Sequence, residues 1–303
     1  MSHRDCATLR QPVAALFCAA LLLTGCATAK PQSEAAPPVS AEVVQTALDH
    51  ADRALSKGDF NTARKGYRKI LAIAPGTAAA QLGLGEVELA AGDPRQALEN
   101  FSRVAELDQG LRPGALQGQG LAQIRLGRPD AAMPLLKEAV TMDPGLWRAW
   151  NALGSLEDAH RNWAAADEAY ARALALKPDA AFVLNNMGMS QLIRRDYAVA
   201  ERTFVKALAM DPDLKEAAAN LRLAQAWQGR YEEALRGGSE AGAAQRLNDV
   251  GYVAMLRGDL AIAEALFLRA ISASPTYHAV AHKNLEEVER LRASGAVTPA
   301  AYQ

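Results

Sequence analysis

Cysteine is nearly absent: the 303 residues hold three, Cys6, Cys18 and Cys26, so everything after residue 26 lacks a disulfide and a thiolate metal site. Aromatic residues make up only 6%, which argues against a β-sandwich or barrel built on aromatic and β-branched strands. Neither sign of charge dominates, with 33 Lys plus Arg against 34 Asp plus Glu. No global field therefore exists to gather nucleic acid. The apolar run Val13–Leu23 is too short to span a bilayer as a helix. What is abundant is alanine among a 50% hydrophobic content, which points to helices and a sizeable core. Length alone, at about 150 residues per domain, suggests two domains.

The first 25 residues read as a secretory signal, with Arg4 and Arg10 ahead of the apolar run. Leu23-Thr24-Gly25-Cys26 follows. This resembles the lipobox of bacterial lipoproteins, and the resemblance implies cleavage before Cys26 and a covalent lipid on its sulfur. The other reading is an ordinary signal cleaved nearby, with Cys26 incidental. Two or three acyl chains would anchor the protein stably where one would not, and the sorting rule of such proteins assigns a non-acidic second residue, Ala27, to the outer membrane. Residues 26–43 form the lipidated start and a polar, Pro-rich tether.

A repeat fills the remainder. Ala63, Ala97, Ala132, Ala166, Ala200, Ala234 and Ala263 are separated by 34, 35, 34, 34, 34 and 29 residues. Twelve positions upstream a second series, Ala51, Gly85, Gly120, Gly154, Gly188, Arg222 and Gly251, keeps the same steps. A third, Pro75, Pro144, Pro178, Pro212 and Pro275, follows the alanines by twelve, with Gln109 in one gap. Each period holds two stretches with apolar residues at helical spacing, a short turn between them and a proline that ends the unit. Small residues let the paired backbones approach, and Tyr67, Phe101, Tyr170, Phe204 and Phe267 fill space toward the next pair.

Trp150, Leu153, Gly154, Ala166, Tyr170, Ala173 and Pro178 resemble the tetratricopeptide repeat (TPR) pattern. The resemblance implies an all-α, right-handed superhelical solenoid over residues 44–277, in units 44–77, 78–112, 113–146, 147–180, 181–214, 215–243 and 244–277. A capping helix at 278–293 and a tail at 294–303 complete the chain. Unit six departs from the pattern: Arg222 replaces the small residue, Gly238 takes the aromatic slot, and Arg236–Gly242 stands where the second helix should run. It reads as a hinge or ligand-facing loop, or as a decayed repeat with a shortened helix.

The search for catalytic motifs is negative. His278 and His282 stand at the spacing of a zinc helix, but HAVAH lacks the glutamate of HExxH. Gly237–Gly242 fails the nucleophile-elbow pattern because position 241 is Ala. Gly118-Gln119-Gly120 is followed by Gln123, so the dinucleotide fingerprint fails too. The sequence reads as a non-enzyme without metal or cofactor beyond the lipid on Cys26.

In the TPR family the first helix of each unit lines a concave groove. The positions that touch ligands there fall on Asn151, Asn185, Asn186, Asn220, and Asn248 with Asp249. A carboxamide both donates and accepts, so a row of them suits the backbone of an extended segment. Phe182, Met189, Leu223, Trp227, Tyr252 and Met255 fall around them as apolar anchors. In the alternative reading the asparagines cap or pack locally and the apolar residues are core. Leu48 and Asp52 occupy the first two slots of the chaperone-binding carboxylate clamp, which disfavours that class.

Residues 247–285 resemble the TPR lipoproteins of the tight-adherence (Tad/Flp) pilus systems, the TadD type. That resemblance implies a scaffold anchored in the outer membrane, facing the periplasm, that binds protein segments such as secretins or other pilus-assembly components. The alternatives are a general envelope TPR adaptor for peptidoglycan hydrolases or proteases, and a self-associating structural lipoprotein.

Overall fold

A computed structural model of the chain describes residues 40–237, 239–274 and 278–296. The signal segment, Cys26, most of the tether, Gly238, Pro275 and the tail from residue 297 lie outside the described residues. The described residues belong to one compact unit rather than the two domains that length suggested.

Among them are fifteen α-helices. Six are the pairs α1 (Ala41–Ser56) with α2 (Phe60–Ile73), α3 (Ala78–Ala90) with α4 (Pro94–Leu107), and α5 (Arg112–Arg125) with α6 (Pro129–Met142). Then come α7 (Trp147–Ala159) with α8 (Trp163–Leu176), α9 (Ala181–Ile193) with α10 (Tyr197–Met210), and α11 (Lys215–Trp227) with the single turn α12 (Tyr231–Ala234). A 3-10 turn at Glu240–Gly242 leads to α13 (Ala243–Leu256) with α14 (Leu260–Ser272), and α15 (Ala279–Ser294) closes the stack. The fold is an all-α solenoid of seven helix-turn-helix repeats with a further helix at the end.

The residues at the helix ends explain the period. Gly58, Gly92, Gly127, Gly229 and Gly258 take left-handed φ in the turn inside their pairs, and Arg161 (φ 59°) and Arg195 (φ 68°) do the same in units four and five. Asp59 and Asp93 then cap the second helix, accepting from the backbone N–H of Thr62 and Gln96 at 3.0 and 3.1 Å. Between pairs, Asp143 accepts from the N–H of Gly145 at 2.8 Å, and Pro144 forbids helix beyond it.

The seven alanines of the repeat series are all fully buried, which is the close approach their spacing requires. The aromatic rings cover the first helix of their own unit as well as the next pair. A Cβ on Gly154 would lie 2.6 Å from the Tyr170 ring, and one on Gly188 2.5 Å from Phe204. Tyr67 instead covers Gly83 of the next unit, and Phe101 covers both Gly85 and Gly118. In unit three Leu136 takes the ring's place over Gly120.

Unit six has a second helix of one turn only. Its bracing is polar: Tyr231 donates to Asp259, Arg257 Nε donates to the Tyr231 hydroxyl at 2.9 Å, and Arg257 Nη1 donates to the Trp227 carbonyl. Burial, with the hydrogen bond to Asp259, pushes the Tyr231 phenol up to about 12. In α15, Val288 and Leu291 are buried and Leu285 packs on the same core, which joins α11, α13 and α14.

Candidate functional site

Each odd-numbered helix from α1 to α15 packs on the next odd-numbered helix, whereas the even-numbered ones have no comparable contact with each other. The odd helices therefore build one continuous inner face. That face carries every asparagine singled out by the sequence.

The asparagines are paired across neighbouring helices. Asn186 Nδ2 on α9 donates to Asn151 Oδ1 on α7 at 3.1 Å, and Asn220 Nδ2 on α11 donates to Asn185 Oδ1 on α9 at 2.9 Å. Asn284 Nδ2 on α15 donates to Asn248 Oδ1 on α13 at 3.0 Å. Asn151–Asn186 and Asn185–Asn220 are each one repeat plus one residue apart, because the sixth residue of one first helix lies beside the fifth of the preceding one, whereas Asn248 and Asn284 are 36 residues apart. Asn151, Asn185, Asn186 and Asn220 are half-buried, and Asn248 is buried. One hydrogen bond per pair leaves an acceptor on the donating amide and a donor on the accepting one.

This ladder stops between α11 and α13. The corresponding positions are Ala219, which has no amide, and Asp249, whose Oδ1 accepts from Gln245 Nε2 at 2.7 Å. A pocket of about 610 Å³ opens there, lined by Leu223, Trp227, Asn248 and Tyr252 together with Ala219, Arg222 and Asp249. Five of the sequence-predicted site residues, Asp249 included, thus converge. Trp227 is held in place by stacking on Tyr197, with ring centroids 5.3 Å apart and planes within 5°.

The other predicted anchors lie elsewhere. Phe182 is exposed and meets Trp147 at 5.3 Å, and Met189 is half-buried against the core around Phe204. Met255 is not an anchor: only 2% exposed, it belongs to the core beneath α13. The same helical spacing places a residue on the groove or under it, and one register step decides.

Two functional candidates escape motif reasoning. Asn284 sits in the last helix, outside the repeat units, and its only signal is its distance of 36 residues from Asn248. Arg222 looks in the sequence like a lost glycine. Its guanidinium is held below the usual arginine range by burial and by Arg246, against the opposing pull of Asp249.

Units two to four present a different inner face. Arg148 Nη1 on α7 reaches Glu86 Oε2 on α3 at 2.8 Å, bridging over α5. The Gln117 side chain of α5 accepts from the N–H of Ala149 at 3.0 Å. His278 serves as a cap, its Nδ1 accepting from the Ala281 N–H at 3.2 Å. Among the described residues no group of three or more His, Cys, Asp or Glu could hold a metal ion, and no helix is long and apolar enough to cross a membrane.

Comparisons with known proteins agree with this architecture. The CTR9 homolog of Arabidopsis thaliana is 28% identical over 103 residues, 34% of this chain and 9% of that protein. The chain therefore spans under a tenth of the length of that relative. Among solved structures, the tetramer of Cut9 and Hcn1 from APC/C superposes with a TM-score of 0.63 at 18% identity, covering 83% of this chain and 50% of that one. A tetratricopeptide repeat protein from Parabacteroides merdae gives 0.52 at 15% identity over 82% of this chain and 99% of the other. Both likenesses concern the fold alone. A profile of the tetratricopeptide repeat matches residues 48–112, 85–147, 118–181 and 185–241, more than half of the sequence, and the chain belongs to the tetratricopeptide repeat family.

Proposed function

We propose that this protein is a non-enzymatic scaffold of the cell envelope that holds extended segments of partner proteins along the face built by its odd-numbered helices. The observation that carries the reading is the amide ladder Asn151–Asn186, Asn185–Asn220 and Asn248–Asn284. A peptide backbone alternates donors and acceptors, and the unused half of each amide pair offers the same alternation whatever the partner's side chains. The pocket at Leu223, Trp227 and Tyr252 adds apolar area for an anchoring residue.

The envelope address rests on Leu23-Thr24-Gly25-Cys26. On that reading Cys26 carries lipid and the solenoid faces the periplasm from the outer membrane. General adaptor work, presenting a partner such as a peptidoglycan hydrolase or a protease, needs nothing beyond this. Service to a Tad/Flp-type pilus or its secretin is a narrower version, supported by the resemblance of residues 247–285.

The test compares crosslinked partners of the wild-type chain with those of a variant in which Asn151, Asn186 and Asn220 are all alanine. Selective loss of partners, with helical circular dichroism preserved, is the expected result. Identical partner sets for the two proteins would overturn the groove reading. Separately, Cys26→Ser should abolish fatty-acid labelling and membrane retention; persistence of both would overturn the anchor.

A further inference from the structure

Arg222 occupies a repeat position that needs a small residue in every other unit. In units two to five and in unit seven that residue is a glycine, covered by a ring or by Leu136 from the second helix of its own unit. In unit six the second helix ends at Ala234, and the residue at the ring's register is a glycine. With no ring to exclude it, an arginine fits. Its side chain lines the pocket between α11, α13 and α15.

No hydrogen bond or ion pair reaches its guanidinium from the described residues. Other half-buried arginines, Arg64, Arg112, Arg148, Arg194 and Arg230, are each bonded to a carboxylate. Arg246 on α13 adds a second positive charge beside Arg222. Among the described residues Asp249 is the one carboxylate lining the pocket, and its Oδ1 accepts from Gln245. The neighbourhood is left one positive charge in excess, half-buried, next to Leu223 and Trp227. A guanidinium offers five donors in a planar fork that matches a carboxylate.

We propose that this pocket takes an apolar residue of a partner segment together with an adjoining carboxylate, which pairs with Arg222. The apolar side chain enters between Leu223, Trp227 and Tyr252, and the carboxylate lies against the guanidinium. This rests on the groove reading above and gives it an end point: the ladder holds backbone generically, and the pocket fixes the register of the bound segment. The gap in the ladder and the lost second helix are thus two parts of one binding site.

The test is fluorescence anisotropy of the full-length chain with three labelled octapeptides. The first is Gly-Ser-Gly-Ser-Ala-Ala-Leu-Phe as free acid, the second is its C-terminal amide, and the third is the amide with Asp before Leu. The free acid, the Asp peptide or both should bind about tenfold more tightly than the plain amide, the scale of a charge-assisted pair. Which of them does so tells a chain terminus from an acidic side chain. Arg222→Gln should erase the difference, and Arg222→Lys should restore part of it; circular dichroism checks that both fold.

Equal affinity for all three peptides, or an advantage that survives Arg222→Gln, would overturn the carboxylate site and leave the groove reading standing. Binding by none of them overturns the site, and with partner sets indifferent to the asparagine changes it overturns both. A dimer of the full-length chain that excludes the peptides would assign the pocket to a second copy instead.

Discussion

Asn186 donates its side-chain amide to Asn151 across two first helices, 35 residues apart in sequence and 3.1 Å apart in space. The bond joins consecutive repeats, so its strength is measurable apart from any partner. Alanine at either position should cost about 1 kcal/mol, and a double-mutant cycle in urea should give a coupling of roughly 0.5–1.5 kcal/mol. A coupling near zero would mean that the two amides do not depend on each other in solution.

Gly188 faces Phe204 with no room for a methyl group, the added Cβ falling 2.5 Å from the ring. Gly188→Ala should therefore destabilise the protein by about 1–3 kcal/mol through overpacking. Leu136 leaves no more room over Gly120 in unit three, where an added Cβ would also fall 2.5 Å from the side chain, so Phe204→Leu should not rescue Gly188→Ala. Equal unfolding midpoints for Gly188→Ala and wild type would show that the helices separate at little cost.

The repeat was legible because its constraints are steric and recur. Ala166 must be small and Pro178 must end a helix, and neither depends on distant sequence. The groove was legible only up to its register. Asn185 and Asn186 are adjacent residues that pair in opposite directions, one with Asn220 and one with Asn151. No periodicity distinguishes their roles. Met255 went astray for the same reason, since a helix face blends gradually from groove into core. Arg222 leaves unit six open in the sequence between a ligand-facing departure and a decayed repeat, because its meaning lies in what is missing above it, the second helix of that unit. The Glu86–Arg148 bridge spans 62 residues, and surface charges carry no pattern from which such a pairing can be read.

Arg161 and Arg195 hold left-handed backbone in turns where five other units use glycine. Both side chains are exposed. A non-glycine residue in this region costs about 1 kcal/mol or more in strain, against the extra unfolded-state entropy of glycine. Arg161→Gly and Arg195→Gly should each raise stability by roughly 0.5–1 kcal/mol, and the two should add because they lie in different units. A lowered melting temperature in both variants would mean that these arginines are held by interactions stronger than the strain.

Glu157 links stability to pH. Buried at the end of α7, it accepts from Asn162 Nδ2 at 2.8 Å and lies 3.0 Å from Lys137 Nζ. The Asn162 hydrogen bond, then Lys137, holds the carboxyl below its ordinary range, outweighing burial. The unfolded chain therefore binds this proton at a higher pH than the folded chain does. The stabilisation is complete above the unfolded value, about 4.3, and disappears as pH falls through the folded one. Glu157→Gln keeps the shape and removes the charge, so it should cost about 1 kcal/mol at pH 7. That deficit should stay constant down to about pH 5 and close as pH falls through the lowered folded-state value. Urea midpoints of the two proteins across this range give the comparison. A deficit that persists unchanged in acid would assign the effect to the lost hydrogen-bond geometry rather than to the charge.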